Sequence, residues 1–537
     1  MKTARFGVGA VALVSVVSLT LAGCASSDNG GESGDSNKVI TTNGSEPLGP
    51  LITTGTTEVG GGKILTSIYA GLVTYAADGS IQNDVADSIE SEDGQNWTVT
   101  LKDGWTFTNG EAVTSQSFID AWTYGATYSN AQASSYFFDN IEGFNYDEDA
   151  ELTGLTAVDD LTFEVALTSP EADWPLRLGY TAFMPLPTVA FEDIEAYGEN
   201  PIGNGPYMMD GDDAWQHDVQ IDLVTNPDYD GVRTPANGGV TFKFYTSQDA
   251  AYADVLGGNL DILDAVPDSA FSIFEDEFGD RAINQPAAIF QGFNIPFYLE
   301  HFSGEEGELR RAAISMSIDR EEITEVIFQG TRTPATDFTS PVVDGYSSEL
   351  DGADVLDYNP EEAQKLWAQA DAIAPYGDTV FDIAYNADGG HQAWAEAVAN
   401  SIKNTLGIEA VGKSYPDFKS SLEDRVAGTL TGGTRAGWQA DYPSLYNFLA
   451  PLYQTGAGSN FEGYTNPEFD SILKEGAAAE SVDEATALYQ QAQEVLLTDL
   501  PSIPLWYSNA TGVSADTVEN VEFGWDSVPL YFQVTKG

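Results

Sequence analysis

The stretch "NWTVTLKDGWTFTNGEAVTSQSFIDAW", Asn96 to Trp122, contains the strongest local signals in the chain. Apolar and polar residues alternate in its first half, and Asp-Gly and Asn-Gly pairs follow, so this half is predicted to form a β-hairpin. Its second half is predicted to form a helix that begins near Thr114 or Ser115, both of which suit a helix N-terminus. A strand pattern followed by a helix pattern is typical of a mixed α/β fold.

Strand and helix patterns alternate along the rest of the chain as well. The segment "ELRRAAISMSIDREEITEVIFQG", Glu308 to Gly330, is predicted to form one long helical segment that ends at the glycine. "TVFDIAYNADG" is predicted to be a strand and "HQAWAEAVANSIKNTLG" a helix closed by Gly407. The fold class is therefore predicted to be α/β throughout.

Length and charge restrict the choice of function. The chain has 537 residues, more than one ordinary hydrophobic core can serve, so two or three lobes are expected. It carries 84 acidic and 21 basic residues, a formal net charge of −63. Such a surface repels nucleic acid and anionic lipid headgroups, so no nucleic-acid partner is expected.

The N-terminus is predicted to be a secretion signal. Lys2 and Arg5 precede the apolar run "FGVGAVALVSVVSLTLAG", which is short for a membrane-spanning helix. "LAGC", ending at Cys24, resembles a bacterial lipobox. This resemblance implies cleavage after residue 23 and a lipid on Cys24; the alternative is an ordinary signal peptide with an unrelated cysteine. Residues 24–38 have the composition of a flexible tether. We therefore expect a lipoprotein on the outer face of the cytoplasmic membrane.

The motifs of common catalytic sites are absent from the sequence. His217, His301 and His391 are the three histidines, and their spacing is not that of a zinc site. There is no phosphate-binding loop and no G-x-S-x-G nucleophile motif. A pair of carboxylates cannot identify a glycosidase site in this chain, because 84 acidic residues supply many such pairs. The prediction is a binding protein that is not an enzyme and has no cofactor or metal.

Several collinear stretches resemble one family. They are Ile68–Trp122, "PIGNGPYMM" at Pro201–Met209, "GWQADYPSLYNFL" at Gly437–Leu449 and "NPEFDSIL" at Asn466–Leu473. Together they are similar to the extracytoplasmic solute-binding proteins of peptide ABC importers, the oligopeptide- and dipeptide-binding family. Asn204 stands where that family usually has Thr. The similarity runs from about residue 39 to near the C-terminus.

The resemblance implies a periplasmic-binding-protein fold of type II, cluster C. Two lobes clamp the ligand about a hinge, and a third lobe is inserted in the first. Placed on this chain, the first lobe is 39–70 with 190–292 and 509–537, the inserted lobe is 71–189, and the second lobe is 293–508.

The resemblance also implies ligand contacts within "RAGWQADY", Arg435 to Tyr442. Asp441 would hold the α-amino group of a peptide; the alternative is a helix cap or turn residue. Arg435 would meet the peptide carboxylate; the alternative is a structural ion pair. The backbone of Gly437, Trp438 and Gln439 would bond the peptide as an added strand. The Trp438 ring would wall a side-chain pocket or, alternatively, belong to the core.

More distant residues are implied on the same basis. Thr57 and Val59 would line the other side of the peptide, and His391 would lie near the C-termini of longer peptides unless it is a surface residue at a helix start. Tyr415 falls where the family has a pocket tryptophan, and Trp506 and Tyr507 lie near another aromatic wall. Tyr136 is a further position that the resemblance places in a pocket wall. Gln439 replaces a family cysteine, and the usual acid before the Thr57–Val59 segment is missing. Peptide length and side-chain preference therefore stay open.

The predicted function is capture of short peptides between the lobes and delivery to the transmembrane subunits of an ABC permease, by a monomer tethered through Cys24. Three alternatives remain from sequence. The same fold could bind an oligosaccharide or a metal complex, the protein could be an envelope hydrolase, or it could be a receptor that senses a peptide without importing it.

Overall fold

The computed structural model describes residues 37–387, 390–416 and 418–537. The predicted signal peptide, Cys24 and nearly all of the predicted tether lie outside the described residues. Within the described ranges, none of the helices has the length and apolar character needed to cross a bilayer.

These ranges contain 20 strands and 13 α-helices. The strands are β1 (Val39–Gly44), β2 (Val73–Tyr75), β3 (Ile81–Asn83), β4 (Ala86–Ser91), β5 (Asn96–Leu101), β6 (Leu155–Asp159), β7 (Thr162–Ala166), β8 (Tyr207–Met209), β9 (Trp215–Gln216), β10 (Gln220–Thr225), β11 (Gly239–Phe244), β12 (Ile262–Leu263), β13 (Ala282–Asn294), β14 (Arg332–Pro334), β15 (Phe381–Asn386), β16 (Ala410–Tyr415), β17 (Gly433–Gln439), β18 (Ser502–Ser514), β19 (Val518–Glu519) and β20 (Thr535–Lys536). The helices are α1 (Val59–Ile68), α2 (Ser115–Ala126), α3 (Ile194–Gly198), α4 (Gln248–Leu256), α5 (Phe274–Phe278), α6 (Gly304–Met316), α7 (Arg320–Val326), α8 (Pro360–Ile373), α9 (Gln392–Leu406), α10 (Phe418–Ala427), α11 (Leu445–Tyr453), α12 (Pro467–Ala477) and α13 (Val482–Asp499).

One large mixed sheet connects the two main parts of the molecule. Its order is β16-β15-β17-β13-β18-β12-β1-β11-β10-β8, with β14 also on β18 and β9 also on β10. The two central strands, β13 and β18, are each 13 residues long and pair with each other in antiparallel fashion, with register breaks between Pro286 and Phe290 and at Gln291–Gly292. The lobe boundaries predicted at 292/293 and 508/509 fall inside these two strands, which are the two connections that a hinge would use.

A separate four-stranded antiparallel sheet, β4-β5-β7-β6, lies within the range predicted for the inserted lobe. Helix α2 begins at Ser115 as predicted, and the Thr114 N–H donates to Ser117 Oγ at 3.2 Å. Its Trp122 is fully buried, contacts Phe183 edge to face at 5.2 Å between ring centroids, and donates its indole N–H to the Phe183 carbonyl.

Two of the sequence predictions are wrong in detail. The Asn96–Leu101 strand pairs with β4 and β7, and the segment after it forms only an isolated bridge, Thr106 to Ala112. The alternation of β5 is satisfied by β4, which ends just before it at Ser91, and by the distant β7, so β5 does not pair with the segment that follows it. The Asn-Gly pair closes only a short loop, in which the Val113 N–H donates to the Trp105 carbonyl at 2.9 Å. The predicted long helix is two helices, α6 and α7, because the Asp319 side chain caps a new helix by accepting from the Glu322 N–H.

Candidate functional site

Three cavities lie in a row along β17 and the segment that follows it. Cavity A has a volume of about 340 Å³, cavity B about 580 Å³ and cavity C about 190 Å³. Asp441 lines both A and B, and Trp438 lines both B and C. The other walls of A come from residues 56–66, Tyr75, 179–181 and 525–528, and those of B from residues 136–146, Glu171, Arg177 and 442–459. The row therefore runs between all three predicted lobes.

The carboxylate of Asp441 is held by one neighbouring side chain. Asn447, on α11, donates its amide to Asp441 Oδ2 at 3.2 Å and accepts the Asp441 backbone N–H at 2.9 Å. The same Asn447 oxygen accepts the Trp438 indole N–H at 3.0 Å. Within the described part of the chain, Asp441 makes no ion pair. The arrangement fixes a carboxylate at the junction of A and B and leaves it without a cationic partner.

The surroundings of Asp441 shift its titration. Burial raises the pKa of this carboxyl to about 6, while the Asn447 hydrogen bond and the more distant Arg177 charge act in the opposite direction. Burial in the cleft therefore disfavours the charged form of this carboxyl. An ammonium group placed beside it would remove that penalty.

Asp441 is not the cap of the helix ahead of it. Ser444 is the N-cap of α11 and its side chain accepts the Tyr446 N–H, at 3.0 Å. The same Ser444 hydroxyl donates to Asp173, and Ala172 N–H donates to the Ala477 carbonyl at 2.8 Å. The segment next to Asp441 therefore also joins the inserted range to the second range.

Arg435 lies at the other end of the row, in the wall of cavity C. It forms no ion pair with any described residue; the neighbouring Arg425 is the one paired with Glu462, at 2.8 Å. Burial, and then the Arg425 charge, lower the pKa of the Arg435 guanidinium. A Cβ at Gly437 would stand 3.2 Å from Arg435 Nη2, so the side chain folds back over this glycine along the strand. A guanidinium so placed suits a carboxylate ligand.

The edge of β17 between these two groups is open. Residues 434–439 pair with β13 on one side, whereas on the other side β15 pairs only with Gly433 and Thr434. No described strand pairs with residues 435–439 on that second edge. Gly437 and Gln439 are exposed there. An extended ligand can add as a further strand on such an edge.

The structure brings most of the other predicted residues to this row. Thr57 and Val59 are exposed on the wall of cavity A, which Gln439 also lines, and Tyr136 is 42% exposed on the wall of cavity B. Trp438 is partly buried between cavities B and C. It forms a wall of both and also packs on the hydrophobic cluster that contains Phe290 and Phe448.

Four predicted residues lie elsewhere; His391, Tyr415, Trp506 and Tyr507 are absent from the described linings of A, B and C. The assignment of Trp506 and Tyr507 to a pocket wall is corrected. Both are fully buried on the central strand β18, where Trp506 packs on Phe328 and Trp394 and the Tyr507 hydroxyl binds Asp337. Tyr415 donates to Asp424 at 2.7 Å, and His391 accepts the Trp394 indole N–H at 3.0 Å.

Sequence reasoning missed several residues of the row. Asp526 lines cavity A, and burial raises the pKa of its carboxyl to about 6 against the opposing effects of the Val528 N–H and the Lys63 charge. Arg177, in the wall of B, forms a buried ion pair with Glu171 and lies 5.1 Å from the Tyr442 ring. These residues carry no local sequence signal, and only the fold brings them to Asp441.

Comparisons with known proteins agree with this architecture. Residues 80–460 match the bacterial extracellular solute-binding proteins, family 5. The dipeptide-binding protein DppE of Bacillus subtilis is 26% identical, with 94% of each chain covered. The unliganded open form of the murein tripeptide-binding protein MppA superposes with a TM-score of 0.79 at 22% identity, over 94% of this chain and 98% of that one.

OppA of Haemophilus influenzae, in complex with the peptide RPPGFSPFR, superposes with a TM-score of 0.72 at 24% identity, over 94% of this chain and 99% of that one. These structures share the periplasmic-binding-protein fold of type II. The family match covers more than half of the sequence. The chain therefore belongs to the bacterial extracellular solute-binding proteins of family 5.

Proposed function

We propose that this protein is the peptide-binding component of an ABC importer. The observation that carries the proposal is the Asp441 carboxylate, fixed by Asn447 at the junction of two interlobe cavities and without a cationic partner among the described residues. An α-ammonium group is a compact cation that such a carboxylate can bind.

The remaining contacts follow from the geometry of β17. A peptide whose amino group is at Asp441 would lie along the open edge of residues 435–439, where main-chain hydrogen bonds recognise any sequence. The Arg435 guanidinium, folded over Gly437, would donate hydrogen bonds to the carboxylate of a peptide of suitable length. Thr57 and Val59 would close the other side of cavity A, and the aromatic walls of B would receive side chains.

The proposal also includes closure of the lobes on the peptide, docking on a permease and attachment of the protein to the membrane. Approach of the lobes about β13 and β18 would bury the peptide, and the ligand-bound form would dock on the transmembrane subunits of a permease. A lipid on Cys24 and the tether of residues 24–38 would keep a monomer at the outer face of the cytoplasmic membrane. The relatives named for dipeptides, oligopeptides and murein peptides support this choice of ligand.

Native mass spectrometry of the gently purified protein, without residues 1–24, tests the ligand class. We expect a series of bound masses that resolve into short peptides. Sugar or metal-chelate masses would keep the fold and contradict the function. Turnover of a bound peptide by the pure protein would instead favour the hydrolase. An uptake experiment in cells distinguishes import from sensing. If the protein serves import, its loss should abolish peptide uptake.

The pH dependence of peptide affinity is a second test. The carboxyl of Asp441 has a pKa of about 6 in the free protein, so below pH 6 it must lose a proton before it can bind an ammonium. Affinity for trialanine should fall by roughly tenfold per pH unit below pH 6. It should also fall above about pH 8, where the peptide amino group deprotonates. Calorimetry from pH 4.5 to pH 9, in buffers spaced by about half a unit, measures both limbs.

Asp441→Asn is the matched control, since it keeps the shape of the side chain and removes its titration. The acid limb should then disappear and the basic limb should weaken, because the peptide ammonium no longer has a carboxylate to pair with. Asp526 titrates in the same range, and for this reason the ligand is trialanine, which has no side-chain charge. An acid limb that persists in Asp441→Asn would exclude Asp441 as the amino-group site.

A further inference from the structure

Cavity A contains a second carboxylate that the amino group of a peptide would leave unused. Asp526 lines the cavity together with Asp441 and Glu58. Its Oδ1 accepts the Val528 N–H at 3.0 Å, and no side chain among the described residues donates a hydrogen bond to it. The Asp526 residue is partly buried, so its charge is poorly compensated by solvent.

Lys63, the basic residue in the described lining of cavity A, already has an ion-pair partner. Lys63 is buried and forms an ion pair with Asp264, itself buried, outside the cavity wall. It lowers the pKa of Asp526, yet the pKa stays raised, to about 6, because burial outweighs it. Glu58 likewise accepts one backbone N–H, from Leu48 at 3.2 Å. Asp526, which has no ion-pair partner among the described residues, differs from Glu58 in lying beside Trp525 and Gln439 in the cavity wall.

The walls around Asp526 also favour a cation. Tyr75 and Trp525 meet edge to face at 5.4 Å between ring centroids, and Tyr180 lies in the same wall. The Tyr75 hydroxyl is turned away to the Leu176 carbonyl, at 2.7 Å, so the ring remains for contact with a ligand. Aromatic rings attract ammonium and guanidinium groups and accommodate the methylene chain of Lys or Arg.

The position of Asp526 relative to Asp441 follows from Gln439. The Gln439 side-chain amide donates to the Asp526 backbone carbonyl at 3.4 Å. Gln439 and Asp441 are two residues apart in the sequence, so their Cα atoms are about 7 Å apart at most, and both line cavity A. A lysine side chain reaches about that far from its Cα, so a peptide anchored at Asp441 can bring a basic side chain from its first or second residue to Asp526.

We propose that Asp526 is a specificity-determining residue that selects peptides with Lys or Arg at the first or second position. The inference rests on the proposed function, since it takes the amino group of the peptide to be at Asp441. The Asp526 carboxylate would form an ion pair with the basic side chain, beside the wall that Tyr75 and Trp525 form. The selection concerns one end of the ligand, unlike the general attraction of cations to a chain of net charge −63.

Four tetrapeptides test this by calorimetry on the mature protein: tetraalanine and its variants with Lys at position 1, 2 or 4. We expect Lys at position 1 or 2 to bind about tenfold tighter than tetraalanine, the effect of one ion pair of about 1.4 kcal/mol. Lys at position 4 should give no comparable gain, which separates local selection from the overall charge.

Asp526→Asn should remove that gain, so that the peptides with Lys at position 1 or 2 bind no more tightly than tetraalanine, while the Asn Oδ1 can still accept the Val528 N–H. Asp103→Asn is the control, since Asp103 is exposed outside the three cavities and its loss changes the net charge by the same amount. Thermal unfolding checks that both variants fold. If Asp526→Asn does not fold, the four-peptide comparison on the wild type still decides.

The outcomes distinguish this inference from the proposed function. Equal affinities of the four peptides for the wild type, or an equal loss of all four in Asp526→Asn, would overturn the role of Asp526 alone, provided that tetraalanine binds and depends on Asp441. If no peptide binds the wild type, the proposed function and this inference both fail. A gain at position 4 equal to that at positions 1 and 2 would show non-specific attraction and would also overturn it.

Discussion

Replacing Asp441 by Ala should weaken the binding of a short peptide by about 2–5 kcal/mol, the usual cost of removing one partner of a buried charge pair. This corresponds to a loss of roughly 30-fold to several thousand-fold in affinity. The reason is geometric as well as electrostatic, since Asn447 holds the carboxylate at the junction of cavities A and B. Calorimetry with trialanine at pH 7 measures the effect.

N-acetylated trialanine completes a thermodynamic cycle with the same variant. The acetylated peptide lacks the ammonium, so wild type and Asp441→Ala should bind it with similar, weak affinity. The coupling between the carboxylate and the amino group is then the difference between the two losses. An equal loss for both peptides would show that Asp441 acts through the structure of the cleft and does not bind the amino group.

The stability of the ligand-free variant adds an independent check. Asp441 has a raised pKa and no ion-pair partner among the described residues, so its charge does not stabilise the folded protein. Asp441→Ala should therefore unfold at the same temperature as the wild type or slightly above it. A clear destabilisation would mean that the Asn447 hydrogen bonds serve the fold first.

The part of the site on β17 and just after it was predictable from the sequence, because the chain is continuous there. Arg435 to Asp441 lie on one strand and its extension, so a resemblance in seven residues places them together whatever the rest of the fold does. The start of α2 at Ser115 was predicted for the same reason, because helix caps are local signals. The turn signals after β5 failed to predict its partners, which are β4, directly before it, and the distant β7.

Asp526 shows what the sequence could not supply. It lies 85 positions after Asp441 in the numbering, next to Trp525 and ahead of Val528, with nothing in its neighbourhood typical of a binding site. Its place in cavity A depends on the C-terminal segment that follows β18. The prediction that Trp506 and Tyr507 line a pocket was wrong for a different reason, because aromatic residues on a central strand suit a core as well as a pocket. The contacts of the predicted ligand residues with a peptide stay predictions.

Removal of Glu171 should be the most damaging of the charge deletions near the cleft. Glu171 and Arg177 are 7% and 6% exposed and form an ion pair, and Asn140 donates to the second Glu171 oxygen at 2.6 Å. Among the described residues, Glu171→Ala leaves the buried guanidinium a hydrogen bond only to the Tyr442 hydroxyl, at 3.4 Å, beside the Tyr442 ring. We expect a loss of about 3–5 kcal/mol of folding free energy, read from the first unfolding transition in denaturant.

The matched variant removes both charges. Glu171→Leu with Arg177→Met fills a similar volume without leaving a buried ion, and replacing a buried pair in this way is often close to neutral. The double variant should therefore recover most of the stability that Glu171→Ala loses. If it is as unstable as the single variant, the loss comes from the shape and hydrogen bonds of the site, among them those of Asn140 and Tyr442, and not from the unpaired Arg177 charge.

Arg177 also lowers the pKa of Asp441. The double variant should therefore move the acid limb of trialanine binding to higher pH, a change that packing alone would not cause.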